Sequence, residues 1–118
     1  MTVADIEQRI AIIRSEPGFD IPSIWLTFYL TAAPERLDSL ADELGKLQGV
    51  NLGDGEGGFL YPKLPVLNSS TDIKALIERV ADLAVVQRVE VIAVDADTTA
   101  DPSTSQFAQI ILYDGNVS

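Results

Sequence analysis

The chain contains neither cysteine nor histidine, and lysine and arginine together number only eight of its 118 residues. Without cysteine there is no disulfide framework, no thiol nucleophile and no thiolate metal site. Without histidine there is no imidazole general base and no imidazole metal ligand. These absences exclude the catalytic triads and zinc sites that depend on either residue, so we expect no cofactor and favour a non-enzymatic protein.

The shortage of basic residues leaves a formal net charge of -10. A field of this sign opposes nucleic acid and anionic membranes, whereas it attracts a basic protein surface. We therefore expect a basic protein as partner, with no direct binding of nucleic acid and no membrane binding. The alternative is that the acidity only keeps a small protein soluble.

Long apolar runs are also missing, and the longest are far too short to cross a bilayer. The N-terminal residues have neither the basic start nor the apolar core of a signal peptide, which favours a cytoplasmic location. A length of 118 residues with 47% hydrophobic content is enough for one continuous core. The sequence predicts a single domain, residues 1–118.

Three segments have the apolar periodicity of amphipathic helices. The first covers residues 3–16, and the second begins at Pro34 and ends at Gly49. The third follows a capping box at residues 69–72, in which aspartate replaces the usual glutamate. The apolar stripes are formed by Ile6, Ile10 and Ile13, by Leu37, Leu40, Ala41, Leu44 and Leu47, and by Ile73, Leu76, Ile77, Val80, Leu83 and Ala84.

Alternating residues predict a strand that begins near Ile24, with Ile24, Leu26, Phe28 and Leu30 on one face. Trp25 and Tyr29 fall on the other face, which is also apolar, so we expect this strand at the centre of a sheet. Further strands are predicted at residues 50–52, 59–61, 89–95 and 107–113. The stretch Pro-Lys-Leu-Pro-Val-Leu-Asn, from residue 62, is a poor candidate for regular structure because of its two prolines.

The order of the predicted elements indicates an α+β fold. After the first helix comes strand-helix-strand-strand-helix-strand (βαββαβ), and then one more strand. This succession is typical of a ferredoxin-like sandwich, here with an added N-terminal helix and a C-terminal edge strand.

The motif Gly-Asp-Gly-Glu-Gly-Gly, residues 53–58, has the spacing of a dinucleotide-binding loop. That loop must open a helix, but Pro62 and Pro65 follow, and Asp54 and Glu56 would repel a phosphate. We therefore interpret the motif as a flexible hairpin turn.

A second motif brings three carboxylates together in the polar loop after residue 94: Asp95, Asp97 and Asp101. Their spacing begins like a calcium loop, but Ala100 and Gln106 stand where glycine and glutamate are required. We interpret this stretch as a solvated acidic turn and predict no metal site.

Aromatic residues gather on the second face of the predicted sheet. Trp25 and Tyr29 lie there by alternation, and Phe59 and Tyr61 flank the glycine-rich turn. Basic residues are too sparse for a sheet that stacks RNA bases. We expect the N-terminal helix or a second copy of the chain, in a homodimer, to cover this face; otherwise the four aromatic residues line a pocket.

The chain resembles the bacterial ribonuclease E inhibitor family, the regulators of ribonuclease activity B, across about residues 6–98. The stretch Ile-Arg-Ser-Glu-Pro-Gly-Phe-Asp-Ile-Pro-Ser resembles the exit of that family's first helix, and residues 73–95 resemble its last helix and strand. The resemblance implies a ferredoxin-like fold that binds a ribonuclease without catalysis or cofactor. No functional residue is carried over, because Ala93-Val-Asp-Ala96 stands where the family has a Tyr-Asp-Gly-Trp signature.

These observations lead to one expected function and one alternative. The first is an acidic protein-binding module that inhibits or regulates a basic nuclease or another nucleic-acid-processing protein, including a toxin as an immunity protein. The alternative is a dimeric ferredoxin-like domain, small-molecule-binding or enzymatic, whose pocket is lined by Trp25, Tyr29, Phe59 and Tyr61. The candidate partner contacts are Glu35, Asp38, Asp42, Glu43, Asp95, Asp97 and Asp101.

Overall fold

The structure, a computed structural model, describes residues 3–47, 49–52, 57–99, 103 and 107–112. Within these ranges the backbone forms three helices and five strands. In chain order they are α1 (Val3–Arg14), β1 (Ser23–Thr31), α2 (Pro34–Leu44), β2 (Phe59–Leu60), β3 (Lys63–Leu67), α3 (Ser70–Val86), β4 (Glu90–Asp97) and β5 (Phe107–Leu112). None of the helices in the described part of the chain combines the length and apolar character needed to span a membrane.

β1 lies at the centre of an antiparallel sheet. β4 pairs with one edge of β1, and β5 pairs with the far edge of β4. β2 and β3 lie end to end along the other edge of β1, so the five strands occupy four positions across the sheet. The sheet and the three helices confirm the α+β class.

One face of the sheet carries the hydrophobic core. The side chains of Ile24, Leu26, Phe28 and Leu30 on β1 are at most 1% exposed. Burial of each such side chain stabilises the fold by about 1.5–3 kcal/mol relative to an exposed position. The predicted alternation in β1 is therefore confirmed, with this set of residues beneath the helices.

All three helices pack over that same face. α3 lies over β3 and β4, and α2 packs beside α3 and against β2. Their apolar stripes join those of β1 in a single core, as the periodicity predicted. The fully or nearly buried stripe residues are Leu37, Leu40 and Leu44 of α2 and Ile73, Ile77, Val80 and Ala84 of α3.

The position of α1 corrects one expectation. Instead of lying across the aromatic face, α1 packs beside α3 and against β5, with Ile10 and Ile13 buried in the common core. An ion pair between Lys74 Nζ and Glu7 Oε1, 2.9 Å apart, joins the two helices at their surface. The opposite face of the sheet, which we call the open face, therefore has no helix over it among the described residues.

Helix ends follow local side-chain chemistry. Ser69 is the N-cap of α3, and its Oγ accepts a hydrogen bond of 3.1 Å from the backbone N–H of Asp72, which confirms the predicted capping box position. α2 ends at Leu44 with Gly45 as its C-cap, not at Gly49. Gly49 is required for another reason: its φ is +77°, and a Cβ there would lie 2.7 Å from Cγ of Pro65.

The stretch with two prolines was expected to be irregular, but it forms β3. β3 pairs with β1 along one side, from Leu67 opposite Ser23 to Lys63 opposite Thr27. Pro65 fits there because proline is tolerated in a strand that uses one hydrogen-bonding edge.

The predicted strand at residues 50–52 is reduced to one bridge, between Asn51 and Lys63. The complete ferredoxin-like order is consequently not confirmed. The tip of the predicted glycine-rich hairpin, residues 53–56, lies outside the described residues.

Candidate functional site

The open face is built by the alternate residues of β1 and β4 that do not enter the core. Because Leu26 pairs with Ala96 and Phe28 with Val94 beneath the helices, the residues between them point to the other side. On the open face Trp25 lies opposite Asp97, Thr27 opposite Asp95, and Tyr29 opposite Ala93. From β3, Lys63 lies opposite Thr27 on its other edge.

A lysine, a threonine and an aspartate form a hydrogen-bonded group at the centre of this face. The hydroxyl of Thr27 donates to Oδ2 of Asp97, and both residues are almost completely buried. Lys63 Nζ donates to Oγ1 of Thr27 at 2.8 Å and to Oδ2 of Asp97 at 3.3 Å. The charge of Asp97 is therefore balanced inside the protein.

The neighbouring carboxylate, Asp95, has a different environment. It is only 7% exposed, and its Oδ2 accepts a hydrogen bond of 2.8 Å from the hydroxyl of Tyr29. Its Oδ1 is buried and has no hydrogen-bond partner in the described part of the chain. A buried acceptor without a donor is costly, so this atom marks a place where a ligand would be stabilised.

Burial also raises the pKa values of both members of this pair, Asp95 and Tyr29. Desolvation raises the pKa of Asp95 above its usual range; the hydrogen bond from Tyr29 and the charge of Lys63 oppose that rise, and the charge of Asp97 adds to it. Desolvation and the hydrogen bond to Asp95 raise the pKa of Tyr29 to about 12. The phenol therefore stays protonated at neutral pH and continues to donate to Asp95.

Aromatic rings and Asp95 line a shallow cavity of about 310 Å³ on the open face. The rings of Tyr29 and Tyr61 meet edge to face with centroids 5.5 Å apart, and Phe59 stacks on Tyr61 at 6.3 Å. Ile92 and Ala93 complete the lining. The cavity thus combines aromatic and aliphatic walls with one carboxylate, of which one oxygen lacks a donor among the described residues.

Comparison with known proteins gives no assignment for this architecture. No family model, no curated protein and no solved structure matches the chain. The function must therefore be argued from the geometry of the open face.

The structure places the predicted aromatic residues on one surface. Tyr29, Phe59 and Tyr61 line the cavity together, whereas Trp25 lies on the same face beside Pro65 and Asp97 and outside the cavity lining. The open face is not wholly apolar as expected, because Thr27 and Lys63 occupy its centre with the two aspartates.

The predicted acidic contacts do not form one surface. Glu35, Asp38 and Asp42 are exposed on α2, on the covered side of the sheet, and Glu43 pairs with Lys46 at 3.1 Å. Asp95 and Asp97 belong to β4, which is longer than predicted, and they are buried on the open face rather than solvated in a loop. Asp101 lies outside the described residues.

Sequence reasoning missed Thr27 and Lys63 as parts of the site. A signal for Thr27 was present, because alternation places it between Trp25 and Tyr29 on the same face. The same alternation in Val-Asp-Ala-Asp separates Asp95 and Asp97 from the core residues Val94 and Ala96. Lys63 carried no comparable signal, because its strand was not predicted.

Two other depressions carry less chemistry. One, of about 450 Å³, lies between α1 and α3, and its Lys74 is already paired with Glu7. The other lies along the edge of β3 at Ser23 and Leu67. Among the described residues, no group of three or more carboxylates is placed to hold a metal ion.

Proposed function

We propose that the protein is a non-enzymatic binding module that takes a basic partner protein on the open face of its sheet. The observation that carries this proposal is the cavity in which Asp95, a buried carboxylate without a full set of donors, is surrounded by aromatic rings. Phe59 and Tyr61 are 44% and 37% exposed, and aromatic residues are enriched in protein interfaces relative to the rest of the surface.

The charge of the whole chain supports a basic partner. A net charge of -10 speeds the approach of a positively charged protein and opposes acidic competitors. The acidic face of α2 contributes to this long-range field, but it does not adjoin the cavity. In this proposal α2 therefore steers the partner, and the open face binds it.

Site-specific photo-cross-linking in the native cells tests the proposal. A photoreactive phenylalanine analogue replaces Tyr61 on the open face, Asp38 on α2, or Val86, an exposed residue at the end of α3. We expect position 61 to cross-link a basic protein, with a lower yield at high salt, and position 86 to give none. Cross-links from position 38 alone would move the contact to α2, and cross-links only between copies would indicate a homodimer.

The partner class is proposed from the resemblance to ribonuclease E inhibitors. An acidic module that covers a basic cleft competes with the RNA or DNA that the cleft binds. We propose a nuclease or another nucleic-acid-processing protein as this partner, including a toxin that an immunity protein neutralises. If the cross-linked protein is a nuclease, the purified module should slow its cleavage of nucleic acid.

A second candidate function is the binding of a small molecule, which the cavity itself favours. Its volume of about 310 Å³ lies at the lower end of the range of ligand pockets, roughly 300–1,000 Å³. In that case a small organic cation would bind without a partner protein, and the photoreactive group at position 61 would cross-link no protein.

We also propose that the sheet is a ferredoxin-like arrangement with one reduced strand. β3 and β4 pair with the two edges of β1 and are connected by α3, as that order requires, and the bridge between Asn51 and Lys63 corresponds to its second strand. β5 would then be the added edge strand and α1 the added helix.

A further inference from the structure

We infer that the cavity on the open face receives a lysine side chain of the basic partner, whose ammonium group binds the carboxylate of Asp95. This inference rests on the proposed function, because it identifies the chemical group by which that partner is recognised. Three observations carry it: the oxygen without a donor, the aromatic walls, and a neighbouring lysine that already makes the same kind of contact.

The carboxylate of Asp95 has room for one more donor. Tyr29 occupies Oδ2, whereas Oδ1 has no partner among the described residues and less than 1 Å² of accessible surface. A ligand can therefore reach Oδ1 only when the side chains that cover this atom move aside. A charged donor to Oδ1 would replace the hydrogen bond to water that this oxygen lost when Asp95 was buried.

The aromatic walls favour a cation at the same place. Tyr29, Phe59 and Tyr61 line the cavity together with Asp95; Tyr29 and Tyr61 meet edge to face at 5.5 Å, and Phe59 stacks on Tyr61. The faces of such rings carry partial negative charge and attract an ammonium group within about 6 Å. Ile92 and Ala93 offer apolar contact to the methylene groups of a lysine stem.

The geometry selects lysine over arginine. A guanidinium group binds a carboxylate best when it can use both oxygens at once. Here Tyr29 already donates to Oδ2, so a bidentate guanidinium group would have to share that oxygen, whereas an ammonium group needs only Oδ1. Lys63 shows that an ammonium group and a hydroxyl can bind one carboxylate on this face, because Lys63 and Thr27 both donate to Oδ2 of the adjacent Asp97.

The test uses solution NMR of the full chain with three small probes. n-Butylammonium reproduces a lysine side chain, n-propylguanidinium an arginine side chain, and n-butanol is a neutral control of similar size. We expect n-butylammonium to shift the backbone amides of Tyr29, Ala93 and Asp95, the guanidinium to bind several-fold more weakly, and butanol to leave them unshifted.

Variants assign the shifts to the cavity. Asp95→Asn keeps the shape of the side chain and should weaken n-butylammonium binding about tenfold or more, which corresponds to about 1.4 kcal/mol. Asp82→Asn, which removes one exposed charge from α3, should leave binding unchanged. Tyr61→Leu, at a position that is 37% exposed, should weaken it several-fold and provides a second test if Asp95→Asn does not fold.

A lysine-containing peptide and its acetyl-lysine counterpart distinguish a protein partner from a free amine. Binding of the lysine peptide alone supports the inference, and binding of n-butylammonium without the lysine peptide overturns it in favour of a small amine. Equal shifts with butanol, or none with n-butylammonium, also overturn it. Even if one of these results overturns the inference, the proposed function would survive as long as position 61 still cross-links a basic protein. It would fail if position 61 cross-links none.

Discussion

At the scale of single residues, Thr27 connects a lysine to a carboxylate beneath the open face. Its hydroxyl donates to Asp97 and accepts from Lys63, and its side chain is 4% exposed. Thr27→Val keeps the shape but leaves both partners short of a hydrogen bond. We expect the free energy of unfolding in urea to fall by about 1–3 kcal/mol.

The matched control is Ser39→Ala, which removes an exposed hydroxyl that donates to the carbonyl oxygen of Glu35. Its effect should stay within about 0.5 kcal/mol. Equal stability of Thr27→Val and the original protein would show that the pair of Lys63 and Asp97 does not depend on the hydroxyl.

The titration of Tyr29 provides a second prediction at this scale. The pKa of Tyr29 is raised from 10.0 to about 12 in the folded protein. Between these pH values the folded protein therefore keeps a proton that the unfolded chain has released. The corresponding stabilisation is complete below pH 10.0 and is lost as the pH rises towards about 12. Ultraviolet absorbance should show one tyrosine that ionises late, and Tyr29→Phe should remove this step.

Asp95→Asn should shift the same titration to lower pH. The amide no longer carries the negative charge that, together with burial, opposes ionisation of Tyr29. An unchanged late titration in Asp95→Asn would mean that desolvation, together with the charge of Asp97, causes it without Asp95.

At the scale of the elements, α3 depends on its N-cap. The hydroxyl of Ser69 accepts from the backbone N–H of Asp72 and donates to the carboxylate of Asp72 at 2.5 Å. Ser69→Ala should lower the free energy of unfolding by about 1 kcal/mol because the first turn of α3 loses its acceptor. Ser69→Asn, which retains an acceptor oxygen, should recover most of the loss in the same urea measurement.

The elements with strong periodicity could be predicted, because one pattern determines both their structure and their buried face. α3 and β1 belong to this class: their apolar residues enter the core as expected. β3 could not be predicted, since its pairing along β1 is a tertiary contact that overrides two prolines. The end of α2 was missed because Gly45 serves as its C-cap. Gly49 instead provides the positive φ of a later turn.

At the scale of the whole molecule, the candidate site depends on contacts distant in the sequence. Lys63 reaches Asp97, 34 positions away, and Tyr29 reaches Asp95, 66 positions away. Alternation alone could place Trp25 and Tyr29 on one face, but that Phe59 and Tyr61 join Tyr29 there depends on the pairing of β2 with β1. The burial of Asp95 could not be predicted, because it depends on how β4 lies beside β1.

The net charge of the molecule predicts its response to salt. Because the chain carries a formal charge of -10, its exposed acidic groups repel one another, and salt shortens the range of that repulsion from about 30 Å at 0.01 M to about 8 Å at 0.15 M. We expect the thermal unfolding midpoint to rise over this interval. The double variant Asp38→Asn and Asp42→Asn, which removes two charges from the exposed face of α2, should have a higher midpoint at low salt and a smaller rise.

A control that keeps the charges, Asp38→Glu with Asp42→Glu, should respond to salt as the original protein does. A midpoint that falls with salt would mean that ion pairs such as Lys74 with Glu7 stabilise the fold more than the excess of acidic groups destabilises it. That outcome would mean that charges affect the stability of the fold mainly through individual ion pairs. A rising midpoint would show that the protein maintains, at a cost in stability, the negative field by which we propose it attracts a basic partner.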